Sequence, residues 1–248
     1  PLQQTRSSSM AAVPSQLTEE TSLIFMGTGS SGGTPKLTCL TKKDGEPCET
    51  CFAAQRPGDP NNRRNTSVII HTKWFQNNEQ GERQMVKDRI ILIDCGKSFM
   101  QSAIAHFPAH GITRLDAVVL THGHADACFG MDDLRAVSAR LPSGQSLPVY
   151  VRQADMGVLQ SAFSYLMPSA AHDRFVANLS FNVFDPAQPL NVLGLELIPI
   201  EVEHGAGYTC LGYAFGDVVY ISDLNRIYDH TRDLLNKRYK YGSLLHSA

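Results

Sequence analysis

The stretch LDAVVLTHGHADACFG (residues 115–130) decides how the rest of the chain is read. The apolar run LDAVVL (115–120) feeds THGHADACFG (121–130), in which His122 and His124 stand two apart and Asp126 two further on. Alternate side chains of extended backbone point the same way, so a strand end opening into a loop can aim all three at one point. Two imidazoles and a carboxylate form a donor set suited to zinc, iron or manganese. A lone H-x-H is often a solvated loop, but a buried strand running straight into H-x-H-x-D points to a metal site.

Further along, LNVLGLELIPIEVEH (190–204) reads as a strand with period-two stretches that delivers His204 at its end. YTCLGYAFG (208–216) and DVVYISD (217–223) read as a strand pair ending in Asp223. Upstream, NTSVIIHT (65–72) and DRIILIDCG (88–96) read as strands separated by the polar insertion NNEQGERQ (77–84). Asp94 at the second strand's end is either a site acid or a turn former. Helical spacing covers 97–107, with Phe99, Ile104 and Phe107 apolar, and His106 and His110 are expected at the surface. Helices are also expected over 131–141 and 152–167, and strands over 146–151 and 175–184. His122, His124, Asp126, His204 and Asp223 thus all follow apolar strands, and strand ends of a layered αβ fold converge to build sites on a rigid scaffold.

Composition narrows the function classes. The chain has 248 residues, a net charge of −2 and 42% hydrophobic residues, the balance of an ordinary soluble globular protein. That length suffices for one core. No basic cluster argues for nucleic acid, no apolar run approaches the roughly 18 residues of a membrane span, and no secretory signal opens the chain. Six cysteines without such a signal favour metal binding or free thiols in a reducing compartment. A cytoplasmic location is expected, with part of an organelle transit peptide as the alternative reading of the Ser-rich opening. Residues 1–20 read as a loose tail and 21–248 as one domain. Because the chain opens at Pro1, it is read as a fragment or a processed product.

Two other motifs carry chemistry. Gly27, Gly29, Gly32 and Gly33 follow a short strand, Ser22 to Met26, and read as a tight turn walling the active site rather than a phosphate loop, since no helix directly follows. Cys39, with Cys48 and Cys51 in a C-x-x-C knuckle, forms a candidate structural zinc site whose fourth ligand is unidentified.

The order T-H-x-H-x-D (121–126), a His after a strand (His204) and Y-I-S-D (220–223) resembles the metallo-β-lactamase-fold hydrolases. The glycine-rich start, the three cysteines and D-C-G (94–96) resemble the branch containing the cyclic-phosphate phosphodiesterase of phosphonate breakdown and its uncharacterised eukaryotic relatives. The resemblance runs from about Leu23 to Asp223. It implies an α/β fold, a four-layer αββα sandwich with metals in a cleft at one edge of the two sheets. It also implies that His122, His124 and His204 hold one zinc (or manganese or iron), that Asp126 holds a second ion and that Asp223 bridges the two. The implied activity is metal-assisted hydrolysis of a small, perhaps cyclic, phosphodiester, with Asp126 orienting the attacking water. The alternative is a degenerate, non-catalytic metal-binding protein that acts through a partner. No nucleic acid or membrane partner is expected; a homodimer is, because the family fold often dimerises.

Two departures from the family pattern bear on the site. The motif usually continues H-x-H-x-D-H, and here the last position is Ala127. Either the second metal position is weak, or Asp132 or Asp133 reaches across to replace the imidazole. The family's further His beyond the bridging Asp has only His230 and His246 as counterparts, neither in a strand–loop context, so C-terminal truncation is expected. In this branch the fourth ligand of the cysteine site belongs to the same region.

Overall fold

The computed structural model describes residues 18–78, 80–167 and 176–238. Its strands are β1 (Thr18–Gly27), β2 (Ser67–Asn77), β3 (Arg83–Ile93), β4 (Ala117–Val119), β5 (Leu147–Arg152), β6 (Leu179–Phe184), β7 (Leu190–Val192), β8 (Leu195–Glu203), β9 (Thr209–Phe215), β10 (Val218–Tyr220) and β11 (Arg226–Ile227). Its helices are α1 (Leu37–Leu40), α2 (Glu49–Ala53), α3 (Phe99–His106), α4 (Ala125–Cys128), α5 (Arg135–Ser138), α6 (Gln153–Ala162) and α7 (Asp229–Arg238). One sheet runs β1-β2-β3-β4-β5-β6, antiparallel through β3 and parallel from β3 to β6. The second runs β10-β9-β8-β11, antiparallel, with β7 paired to β8.

Period-two alternation explains the layering. Val68, Ile70, Ile91, Ile93, Ala117 and Val119 turn to the second sheet and meet Leu197, Leu211, Tyr213 and Phe215. Their sequence neighbours Ile69, Ile90, Leu92 and Val118 turn the other way, onto Phe99 and Phe107, Val137 of α5, and Met156 and Leu159 of α6. On the outer face of the second sheet, Ile200, Val202, Cys210 and Ala214 meet Leu235 of α7. Both faces are covered at the central strands, so Val68–Ile70, Ile90–Ile93 and Ala117–Val119 read as continuous apolar runs rather than clean alternation. This is the expected αββα sandwich. Among the described residues no helix is long and apolar enough to cross a membrane.

Some boundaries differ from the sequence reading. β1 begins at Thr18, which pairs with Phe75, so 18–20 belong to a strand rather than the tail. Residues 1–17, His246 and the tail from 239 lie outside the described residues. The insertion at 77–84 is the tip of a β2–β3 hairpin, closed by Asn78 N donating to Glu82 O at 2.9 Å. The single strand expected over 190–204 is a hairpin, because Leu193 and Gly194 both take positive φ (55° and 98°), the geometry of a two-residue turn. Ile104, expected with Phe99 and Phe107 on one apolar face, is 68% exposed. The 131–141 helix is a 3-10 turn (Met131–Leu134) continued by α5.

Candidate metal centre

The loop after β4 is fixed from three sides before it delivers its first histidine. Leu120 N donates to Tyr150 O, and the Leu120 carbonyl accepts from Tyr213 OH at 2.7 Å. Thr121 N donates to Asp94 Oδ1 at 2.8 Å, and the Thr121 hydroxyl donates to the same carboxylate at 2.9–3.0 Å. Leu211 N, from the second sheet, donates to Thr121 O at 3.1 Å. His122 Nδ1 lies 2.9 Å from Thr121 Oγ1. That contact engages Nδ1, so Nε2 is the ring nitrogen left to face the site.

Asp94 holds this arrangement from a backbone position few residues adopt, φ +65°, and it is fully buried. Burial pushes its carboxyl up to about 8, against the hydrogen bonds from Thr121 and Ser222. Gly96 follows because a Cβ there would stand 1.8 Å from the Asp126 carbonyl oxygen. The D-C-G turn therefore packs directly beneath α4, which explains both residues.

His124 precedes α4 with extended backbone (ψ 158°), and Asp126 sits in that helix's only turn. His204 follows β8 directly, and its N–H donates to Tyr208 O across a glycine-containing turn. Asp223 follows β10. The donor atoms of His122, His124 and His204 lie within 4.8 Å of one another, as do those of His122, Asp126 and Asp223. His122 Nε2 stands 3.6 Å from Asp223 Oδ2, and His204 Nε2 stands 3.8 Å from the same oxygen. His124 Nδ1 and His204 Nε2 are 3.1 Å apart. Two nitrogens bound to one tetrahedral zinc at ~2.0–2.1 Å would stand ~3.3 Å apart, so this spacing fits a shared ion.

His122 Nε2 is buried with no hydrogen-bond partner. An orphaned lone pair is costly inside a protein unless something fills it. Burial, then the neighbouring His124, pushes the His122 pKa down to about 3, which keeps the ring in the neutral form a metal requires. Burial would raise Asp126, but the Ser31 hydroxyl, its own backbone N–H and the His122 ring outweigh it and lower the carboxyl. These residues can hold a metal ion.

The glycine-rich segment walls this site. Asn65, 4% exposed, bonds the Ser30 and Ser31 carbonyls through its amide at 3.3 and 3.1 Å, while its carbonyl accepts from Ser98 N. The Thr66 hydroxyl donates to Gly29 O at 2.8 Å. Asn65 thereby ties the 27–33 loop to the 94–98 loop and sets Ser31 against Asp126.

Asp132 and Asp133 do not join the donors. Their 3-10 turn directs Asp133 to a groove with Phe99, Ala103, Val137 and Arg140, and Asp132 bonds Tyr165. Neither stands in for the imidazole that Ala127 lacks. Cys39, Cys48 and Cys51 do come together, with donor atoms within 4.8 Å, and among the described residues no fourth His, Cys, Asp or Glu joins them. The Cys51 N–H lowers the Cys48 thiol, whereas the hydrogen bond with Cys51 raises Cys39. His106 and His110 stack on each other, away from the site.

Sequence reading missed a buried support behind the histidines. Arg152, ending β5, pairs with Asp155 of α6; they are 7% and 3% exposed. Asp155 Oδ1 accepts from Gly123 N at 3.1 Å and from Tyr208 OH at 3.3 Å. The Tyr208 ring stacks on His124 at 4.7 Å and 11°. R-x-x-D at a strand–helix junction was the available signal, but an i,i+3 charge pair is usually solvated.

Comparison with known proteins agrees with this layout. Residues 89–238, more than half of the chain, match the family described as Beta-lactamase superfamily domain. A crystal structure described as that of a new diphosphatase from the PhnP family is 27% identical, with a TM-score of 0.65 over 89% of this chain and 71% of that one. A curated protein of Porphyromonas gingivalis (strain ATCC BAA-308 / W83) named Octanoyltransferase is 29% identical over 204 residues. That match takes in 82% of this chain but only 35% of the curated relative's length.

Proposed function

Because the chain belongs to the beta-lactamase superfamily, we propose that it is a metal-dependent hydrolase acting on a small phosphodiester, with zinc as the principal ion. The observation that carries this reading is the meeting of His122, His124, His204, Asp126 and Asp223 around a buried, unpartnered His122 Nε2. A divalent ion held by these residues would lower the pKa of a coordinated water toward ~7 and polarise a phosphoryl oxygen. The protein supplies position. Asp126, its carboxylate held ionised by Ser31, orients the attacking water. Thr121, held in turn by Asp94, fixes the His122 ring through Nδ1, and Tyr208 holds the His124 ring plane. The 27–33 loop shields the Asp126 side. The substrate class draws support from the diphosphatase likeness and needs no extended basic surface, in keeping with a small ligand.

Ala127 favours a second reading, a non-catalytic metal-binding protein, which predicts bound metal without turnover. The test is hydrolysis of an aryl phosphodiester by the metal-loaded protein, beside a β-lactam and a thioester. The diester alone should be turned over, with activity lost on chelation and restored by metal. No diester turnover by the loaded protein, or faster cleavage of the β-lactam or thioester, would overturn the proposal.

A further inference from the structure

We propose that an apolar shelf beside His124 seats an aromatic ester arm of the substrate, so that the chain favours phosphodiesters carrying an aryl group over purely aliphatic ones. This deepens the hydrolase reading and rests on it for the bond that reacts.

Contacts lay the shelf down from the histidine loop outward. A Cβ on Gly123, between His122 and His124, would stand 3.4 Å from Cβ and Cγ2 of Val158 on α6. The valine therefore lies directly against the backbone that carries both candidate ligands. Just past the end of α6, the Phe163 ring meets Phe129 edge-on, with centroids 5.5 Å apart. Phe129 closes α4, and its N–H donates to Ala125 O at 3.1 Å, which sets it above Ala125, the neighbour of His124. Both contacts advance in the same direction along the two segments, so the seam between 123–129 and α6 starts at the histidine loop. Along that seam Val158 and Phe129 stay 42% and 45% exposed, whereas Phe163 behind Phe129 is buried. Tyr165, its hydroxyl bonded to Asp132, ends the seam. The Tyr208 ring, stacked on His124 at 4.7 Å, brings apolar surface up to the ligand itself.

Large apolar side chains left open beside a site point to what the site binds. The occupant follows from the contrast between two sides of the centre. Around Asp126 the wall is the Ser31 hydroxyl and the glycine turn that carries it. Around His124 it is a phenyl ring, an isopropyl group and a phenol face. Hydrogen-bonding groups on one side and ring surfaces on the other suit a ligand with one polar and one aromatic end. An aryl arm gains edge-to-face contacts there, whereas the uncharged shelf offers nothing to an arm bearing a second phosphate or a carboxylate.

The test separates the arm from the chemistry. Dimethylphosphinate and methyl(2-naphthyl)phosphinate present the same monoanion on two P–C bonds that do not hydrolyse, and they differ in one arm. Their binding to zinc-loaded protein is measured by calorimetry, with bis(4-nitrophenyl) phosphate turnover on the same samples. The naphthyl compound should bind at least roughly 10-fold tighter. Phe129→Ala and, separately, Val158→Ser should each cut that ratio roughly 3- to 10-fold; either variant decides the matter if the other does not fold. Ile104→Ser, at an exposed apolar position on α3, should leave the ratio alone. Equal binding of the two phosphinates, or a ratio lowered as much by Ile104→Ser, would overturn the inference. A ratio that holds in Phe129→Ala while light scattering shows a dimer dissociating would give the patch to a second copy instead. An arm preference lost in the variants, without diester turnover, would sink the hydrolase reading alone; turnover without an arm preference would do the reverse.

Discussion

Replacing Asp155 by Ala would test whether the histidine loop rests on a buried charge pair. Asp155 takes the Arg152 guanidinium, the Gly123 N–H and the Tyr208 hydroxyl. Burial works against the Arg152 charge, and the bonds to Asp155 outweigh it. Removing the carboxylate leaves that buried guanidinium held, among the described residues, by the Thr209 carbonyl and the face of Tyr208. Breaking one partner of a buried pair costs about 3–5 kcal/mol, a large share of the ~5–15 kcal/mol of a typical domain. Replacing both partners, as Arg152→Met with Asp155→Leu, removes the stranded charge; Gly123 N and Tyr208 OH lose their acceptor as in the single variant, and only Thr209 O is left unpaired in addition, at about 1–3 kcal/mol. The double variant should therefore be more stable than Asp155→Ala. Urea unfolding of metal-free protein reads this, and metal retention should fall in both variants because Gly123 lies between His122 and His124. A cost below about 1 kcal/mol for Asp155→Ala, or a double variant less stable than the single one, would refute the buried-pair reasoning.

Other expectations follow from the same geometry. Gly96→Ala places a methyl group against the Asp126 carbonyl, which as backbone cannot swing aside; the variant should lose about 2–4 kcal/mol and metal together, read by unfolding and elemental analysis. In the chelated protein Cys48, whose thiol is lowered by the Cys51 N–H, should be alkylated before Cys39. Cys95, Cys128 and Cys210, raised by burial, should react only in denaturant, as peptide mapping would show. At Asp88, burial raises the carboxyl but the Arg114 bond and charge outweigh it, so its pKa lies below the ordinary value. Its contribution is then complete above about pH 4 and lost as pH falls through the depressed pKa. Asp88→Asn should cost up to about 1 kcal/mol at pH 7 and flatten the acid limb of the stability curve.

The candidate ligand residues were legible because rare, chemically distinct side chains sit where apolar strands end. His122, His124, Asp126, His204 and Asp223 could each be placed from local pattern at a strand end, and strand ends of a layered αβ fold were expected to converge. What stayed hidden depends on contacts across the fold. Asp94 looked like a turn former or a site acid, and only its bonds to Thr121 show that it positions His122 from behind. Leu193 concealed a hairpin turn inside an apolar run because a leucine at positive φ leaves no compositional mark. Asp132 and Asp133 were near enough in sequence to replace a ligand, but a 3-10 turn carries them to the other side of the loop. Arg152 and Asp155 drew no reading, because two opposite charges three apart at a strand–helix junction are usually solvated.

The most direct measurement is metal content per chain by elemental analysis, on the wild type and on His122→Ala, with aryl phosphodiester turnover of the same samples. The account predicts that the variant holds at least one metal ion fewer than the wild type and has no turnover. Equal metal content in the two proteins, or turnover that survives the loss of His122, would contradict it.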